Sequence, residues 1–323
     1  MPKIFSNEFG RLRSGWRAVI FCLAFLAILL LIVTVLRGIY VALVGRGPFP
    51  GLGFLPDLIF RISLLLAALG AGYVCARWLE GLPWRSLGLT FHQNWLRDLL
   101  VGFAIGFVAL AIAVGIAAAG GGLRLSFAGT ATILPVVRSL AGSAFLLCVA
   151  ALAEEALFRG YPLQTFSRAH LAGFGILVTL LFFGYVHMSN PNATLGMTFL
   201  NTSIAGLWLG IGYLRTRSLW FPLGLHWAWN WALGAFFGLP VSGMNLVSNP
   251  LFQGHNTGPD WLTGGNYGVE GGIAGTIALV LVTIFTWRTR LVSATPDLKM
   301  LTSEENPVLP SPVVSIRPAD DAA

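Results

Sequence analysis

The chain reads as an all-α, polytopic transmembrane helix bundle of about eight spans. Three observations predict it. Hydrophobic residues fill 56% of the 323 positions, charged residues only 10%, and the mean hydropathy is +0.76. A soluble domain is about a quarter charged. Apolar stretches long enough to cross, or nearly cross, a hydrocarbon layer of about 30 Å recur along the chain. The net charge of +7 is spread over loops. It is a topology signal and not a nucleic-acid footprint, so no nucleic-acid partner is expected.

Residues 1–17 read as a cytoplasmic N-terminal segment carrying Arg11, Arg13 and Arg17. The first span, near 18–36, is too long and too poor in small-x-small cleavage sites for a signal peptide, so it reads as a retained anchor. Further spans fall near 58–76, 99–120, 139–166, 171–189, 195–214, 219–237 and 271–287, which puts the bundle within 18–290. The stretch 238–268 is uncharged except for Asp260 and rich in Gly, Asn and Pro. A loop of that length is either functional or disordered. The polar, proline-bearing tail at 291–323 is expected to be a disordered cytoplasmic end.

Orientation follows from the basic residues. With the N-terminus inside, fifteen of the 20 lysines and arginines fall on the cytoplasmic side. Arg37, Arg46, Arg61, Arg124 and Arg138 fall outside. That bias predicts both termini in the cytoplasm. Cys22, Cys75 and Cys148 all lie in apolar runs, and an odd count without pattern predicts neither a disulfide framework nor a zinc spacing.

The segment "AEEALFRG", 153–160, breaks this oily background. Glu154 and Glu155 are the only carboxylates between Asp98 and Asp260. Glu155 and Arg159 are i and i+4 with the acid first, the favourable order for a helix ion pair. Glu154 cannot easily share that arginine, because successive helix residues point about 100° apart. A carboxylate at such depth costs about 2.5–3.5 kcal/mol on insertion scales. An intramembrane acid is a functional hypothesis by default, against the plainer reading of a protonated acid on a backbone carbonyl.

Depth brings partners to it. At 1.5 Å per residue, Glu154 lies roughly 18 Å and His187 roughly 24 Å from the face shared by the fourth and fifth spans. On the seventh span, which Pro222 helps to start, His226 lies roughly 11 Å and Asn230 roughly 17 Å in. His226 and Asn230 are i and i+4 and share one helix face. Trp227 and Trp231 flank it, either as pocket walls or as an aromatic belt. His92, His170 and His255 read as solvent-facing loop residues.

The chain has neither G-x-S-x-G nor H-E-x-x-H, so the serine-elbow and zincin arrangements are not available. What remains is Glu154, His187, His226 and Asn230. A carboxylate backed by an imidazole can deprotonate water, and two further donors can hold an oxyanion. The same set could hold a divalent metal with an open water position. Either way the chemistry is hydrolysis of a peptide or ester bond inside a membrane cavity.

These residues carry a resemblance. Glu154, Glu155 and Arg159 match E-E-x-x-x-R, Phe183 and His187 match F-x-x-x-H, and His226 and Asn230 match H-x-x-x-N. In that order and spacing, over about 140–237, the chain resembles the CPBP or Abi family. These are the CAAX protease and bacteriocin-processing proteins, bacterial relatives of the type II CAAX prenyl endopeptidases. The Gly-rich "WLTGGNYGVEGG" from Trp261 is similar to a loop common in bacterial members.

The resemblance implies an integral-membrane endopeptidase of a bacterial inner membrane, acting on a membrane-bound or lipidated peptide with the lipid bilayer as its surroundings. It gives Glu154 and His187 the activation of water and His226 and Asn230 the oxyanion, with Glu155, Arg159 and Phe183 in support. The family carries a metalloprotease label, and a metal such as zinc would be held by Glu154, His187 and His226. Asn230 is a poor zinc ligand, so the metal-free form is favoured. The other function class is a non-catalytic scaffold or bacteriocin self-immunity protein built on the same fold.

Overall fold

The computed structural model describes residues 4–7, 10–45, 53–127 and 133–303. Its architecture is a helix bundle with one small ribbon. The long helices are α1 (Ser14–Val44), α2 (Phe54–Leu79), α3 (Trp95–Ala119) and α4 (Ile133–Glu155). A π turn at Ala156–Gly160 joins α4 to α5 (Tyr161–Arg168). Then follow α6 (Ala172–His187), α7 (Met197–Thr216) and α8 (Trp220–Trp231), and α8 runs into a second π turn at Ala232–Phe236. After the short α9 (Asp260–Thr263) come α10 (Ile273–Arg288) and α11 (Pro296–Ser303).

Among the described residues, five helical segments are long and apolar enough to cross a membrane: Ser14–Val44, Phe54–Leu79, Trp95–Ala119, Ile133–Arg168 and Met197–Thr216. Of the about eight expected stretches, these five are full-length helices. Ala172–His187 and Ile273–Arg288 are apolar but only 16 residues long, roughly 24 Å against a layer of about 30 Å. Trp220–Trp231 has 12 residues before its π turn continues it to Phe236. Apolar length in sequence overstates span because loops and π turns share the same composition.

Strands were not expected. β1 (Leu123–Phe127) pairs antiparallel with β2 (Phe252–Asn256), Leu125 opposite Gly254. This ribbon marks one end of the bundle, the ribbon end; Arg168 marks the other. The long stretch 238–268 is therefore structured, with β2, α9 and short 3₁₀ turns. The tail also departs from expectation over its first part. Pro296–Ser303 is a helix with Leu298 and Leu301 buried, while 304–323 lie outside the described residues.

Two apolar cores flank the centre. Phe21, Ala71, Cys75, Leu87 and Leu163 form one, where α1, α2 and α5 meet. Leu110, Trp208, Phe221, Leu225 and Leu279 form the other, where α3, α7, α8 and α10 meet. Leu157, in the first π turn, touches both. Around the second core α3 lies directly on α8. A Cβ on Gly102 or Gly106 would strike the carbonyl oxygen of Phe221 or Leu225, and one on Gly224 that of Leu99. Small residues spaced by four let membrane helices approach backbone to backbone. Trp227 and Trp231 fasten α8 to α4 by donating to the carbonyls of Ala144 (2.9 Å) and Leu140 (3.1 Å).

At the Arg168 end a buried polar cluster ties α1, α2 and α5 together. The Glu80 carboxylate accepts from Tyr161 Oη at 2.8 Å and Thr165 Oγ1 at 2.6 Å, and it pairs with Arg17 at 3.5 Å and with Arg168. The side chains of Arg17, Arg159 and Arg168, which the basic-residue bias places on the cytoplasmic side, are all buried within the protein. Arg61, assigned to the outside, lies within α2.

Candidate active site

Three helices carry the expected residues to one place. Glu154 and Glu155 sit on the last turn of α4, where the π turn begins. His187 is the last residue of α6, Phe183 lies one turn before it, and His226 and Asn230 lie on α8. Such π turns occur often at functional sites because they re-aim side chains without breaking the helix.

Glu155 is wholly buried. Its Oε1 accepts from Arg159 Nη1 at 3.0 Å and from His226 Nδ1 at 2.9 Å. Arg159 also donates to the Gly206 carbonyl at 3.1 Å, and its guanidinium lies over the Phe183 ring at 4.7 Å. The i,i+4 pair is thus one edge of a network joining α4, α7 and α8. Phe183 packs on both histidines, with ring centroids 4.4 Å from His187 and 6.0 Å from His226.

Glu154 is oriented differently. Its Oε1 lies 3.6 Å from Arg61 Nη1, and its Oε2 lies 3.9 Å from His187 Nε2 and 3.8 Å from His226 Nε2. Oε2 is buried without a hydrogen-bond partner of its own. The tautomers follow from the far side of each ring. His187 Nδ1 lies 2.6 Å from the Phe183 carbonyl, which can only accept, so Nδ1 carries the proton. His226 Nδ1 faces the Glu155 carboxylate and donates likewise. Both Nε2 atoms therefore turn toward Glu154.

His187, His226 and Asn230 line a cavity of about 30 Å³ with Phe183, Trp229 and Glu270, enough for a water molecule or two. Two residues near Glu154 and the cavity, Arg61 and Glu270, escaped the sequence. Arg61 reads there as a helix-start charge four residues after Asp57, whose carboxylate it meets at 3.4 Å. Glu270 sits in a Gly-rich segment next to Gly271 and Gly272, where an acid reads as solvated. Instead it accepts from Trp229 Nε1 at 2.7 Å and from Ser242 N at 2.7 Å. Burial pushes its carboxyl up from the usual glutamate range, against the Ser242 N–H and the Trp229 indole, which favour the charged form. Of the other histidines, His92 is not solvent-facing as expected: its Nε2 lies 3.2 Å from Ser218 Oγ.

Zinc does not fit the donors as they stand. Bonds of 2.0–2.1 Å give a tetrahedron with edges of about 3.3–3.4 Å, narrower than the 3.8 and 3.9 Å from Glu154 to the imidazoles. Among the described residues no group of three His, Cys, Asp or Glu side chains has a metal-holding arrangement. Arg61 already faces the other carboxylate oxygen.

Residues 137–232 match the family model described as type II CAAX prenyl endopeptidase Rce1-like. These residues are similar to an Rce1-like domain. The matched segment runs from α4 to the end of α8 and contains Glu154, Glu155, Arg159, Phe183, His187, His226 and Asn230. Arg61 and Glu270 lie outside it and reach the same site from α2 and from the segment before α10. A comparison with curated proteins finds no match.

Proposed function

We propose that the protein is an integral-membrane endopeptidase that hydrolyses a peptide bond of a membrane-associated or lipidated peptide, using a water activated by Glu154. The single observation that carries this reading is the convergence of Glu154 Oε2 with the Nε2 atoms of His187 and His226, each ring held from behind through Nδ1. The Rce1-like match supports the reaction class.

The chemistry follows from the donors and acceptors. A water between Glu154 Oε2 and His187 Nε2 gives a hydrogen bond to each. As its oxygen bonds to the scissile carbonyl carbon, Glu154 takes the proton and the carbonyl oxygen becomes an oxyanion. Asn230 Nδ2 donates to that oxygen, as does His226 Nε2 when the ring carries its second proton. Collapse breaks the C–N bond, and Glu154 returns the proton to the departing amine. Arg61 holds the other oxygen of Glu154 throughout.

The experiment is mass spectrometry of membrane-peptide C-termini, first in cells with and without the protein and then in proteoliposomes. Glu154→Gln keeps shape and removes the base, so cleavage should fall at least about 10²-fold while folding is retained. Full cleavage by Glu154→Gln would sink the mechanism. Cell function preserved in that variant would point to a binding scaffold instead.

A further inference from the structure

We propose that Glu270 is a positioning residue of this site: it clamps the 238–272 segment onto α8 as the ribbon-end wall of the cavity and thereby fixes how α8 presents His226 and Asn230. The effect on turnover rests on the hydrolytic reading above; the wall does not.

A buried carboxylate is expensive unless donors surround it, and Glu270 is 9% exposed. Its Oε1 takes the Trp229 indole N–H at 2.7 Å. Its Oε2 takes the Ser242 N–H at 2.7 Å and the Ser242 hydroxyl at 3.1 Å. Both oxygens are engaged, so the group is arranged to hold other parts of the protein and not to meet a substrate.

The donors come from two separate places. Trp229 is on α8, between His226 and Asn230. Ser242 is in the turn 241–244, where its φ of +47° is a left-handed conformation that a serine adopts only at a cost. That conformation is what the Glu270 carboxylate holds. The backbone repeats the tie: Asn201 on α7 donates to the carbonyls of Glu270 (2.7 Å) and Gly272 (2.9 Å), and Gly243 N–H donates to Tyr267 O at 2.9 Å. Ser242 and Glu270 line the cavity together with His187, His226 and Asn230. One acid therefore joins the wall, the turn and the catalytic helix. Trp229 is one of the ties that set the rotation of α8 about its axis, so releasing it lets the residues on either side of it shift.

The test uses the full chain without Cys22, Cys75 and Cys148 and with Thr202→Cys, a buried residue on the same cavity. Glu270→Ala should speed maleimide labelling of that cysteine in detergent by about tenfold or more, because the wall opens locally. Trp229→Phe removes one N–H and keeps a ring, so it is the milder second variant should Glu270→Ala not fold. It should speed labelling less and lower kcat by about tenfold at a nearly constant KM and an unchanged melting temperature. Unchanged labelling in both variants overturns the clamp, and faster labelling with an unchanged kcat overturns the positioning role. Faster labelling in a protein whose parent cleaves no peptide would support the wall and count against the hydrolytic reading alone.

Discussion

His226 and Glu155 are bound to each other at 2.9 Å across 71 positions of sequence. This contact turns a local helix pair into part of the site, because the carboxylate that accepts from Arg159 also fixes the imidazole tautomer. Stability and activity should then separate. Arg159→Ala leaves a buried carboxylate with less compensation and should cost about 3–5 kcal/mol, read from denaturation in detergent. Removing Glu155 as well should restore part of that stability and none of the activity, since His226 loses its anchor. A double variant no more stable than the single one would show that the two are not partners.

Arg61 should matter for rate more than for binding. It holds Glu154 Oε1 at 3.6 Å and is itself held by Asp57. Arg61→Gln should lower kcat by about 10²-fold, the scale of a misplaced reacting group, with KM little changed. Arg61→Lys should recover part of it. Equal kcat in all three proteins would remove Arg61 from the site.

Metal content offers a separate check. Protein purified without metal-charged resin should carry less than stoichiometric zinc, and chelation should leave cleavage unchanged. Stoichiometric zinc lost together with activity would reverse this and make the 3.8–3.9 Å spacing one that closes on loading.

The approach of α3 to α8 can be tested on a single helix. Gly106→Ala drives a methyl into the Leu225 carbonyl, next to His226, whereas Gly115→Ala meets nothing within 4 Å. The first should cost about 1–3 kcal/mol by overpacking and reduce cleavage. The second should be neutral or stabilising by up to about 1 kcal/mol. Equal melting temperatures would argue against backbone contact between these helices.

Topology remains a prediction of the basic-residue bias. In the cysteine-free background, a single cysteine at Asn256 should be labelled from outside intact cells and one at Ser293 should not. The opposite pattern would invert the bundle.

The residues that sequence made legible share a property: each is a polar group in an apolar run, where cost alone asks for a reason. Glu154, His187, His226 and Asn230 stand out this way, and helix rise puts them at similar depth. Arg61 did not stand out because Asp57, four residues earlier, offered a sufficient local partner. Glu270 lay among glycines, where an acid costs nothing until the segment folds inward. The pairing of β1 with β2 joins residues more than a hundred positions apart, and no local pattern announces it. Hydropathy likewise cannot tell a crossing helix from a half-length one resting on its neighbours, so it does not separate the five full-length helices from the shorter apolar ones.

The two π turns have a consequence for what kinds of sequence change this protein can absorb. Each follows directly on a helix that carries part of the site, at Ala156–Gly160 and Ala232–Phe236. A π turn holds one residue more than the α-turn it replaces, so everything beyond it is phased about 100° away from a continuous helix. Below Glu155 that phase aims Tyr161 and Thr165 at Glu80; above it, the other phase aims the glutamates at the imidazoles. Substitutions within 156–160 would test side chains one at a time. Deleting a single residue there would instead let the helix anneal into regular α-form, with every side chain still present and the two halves of the protein out of step.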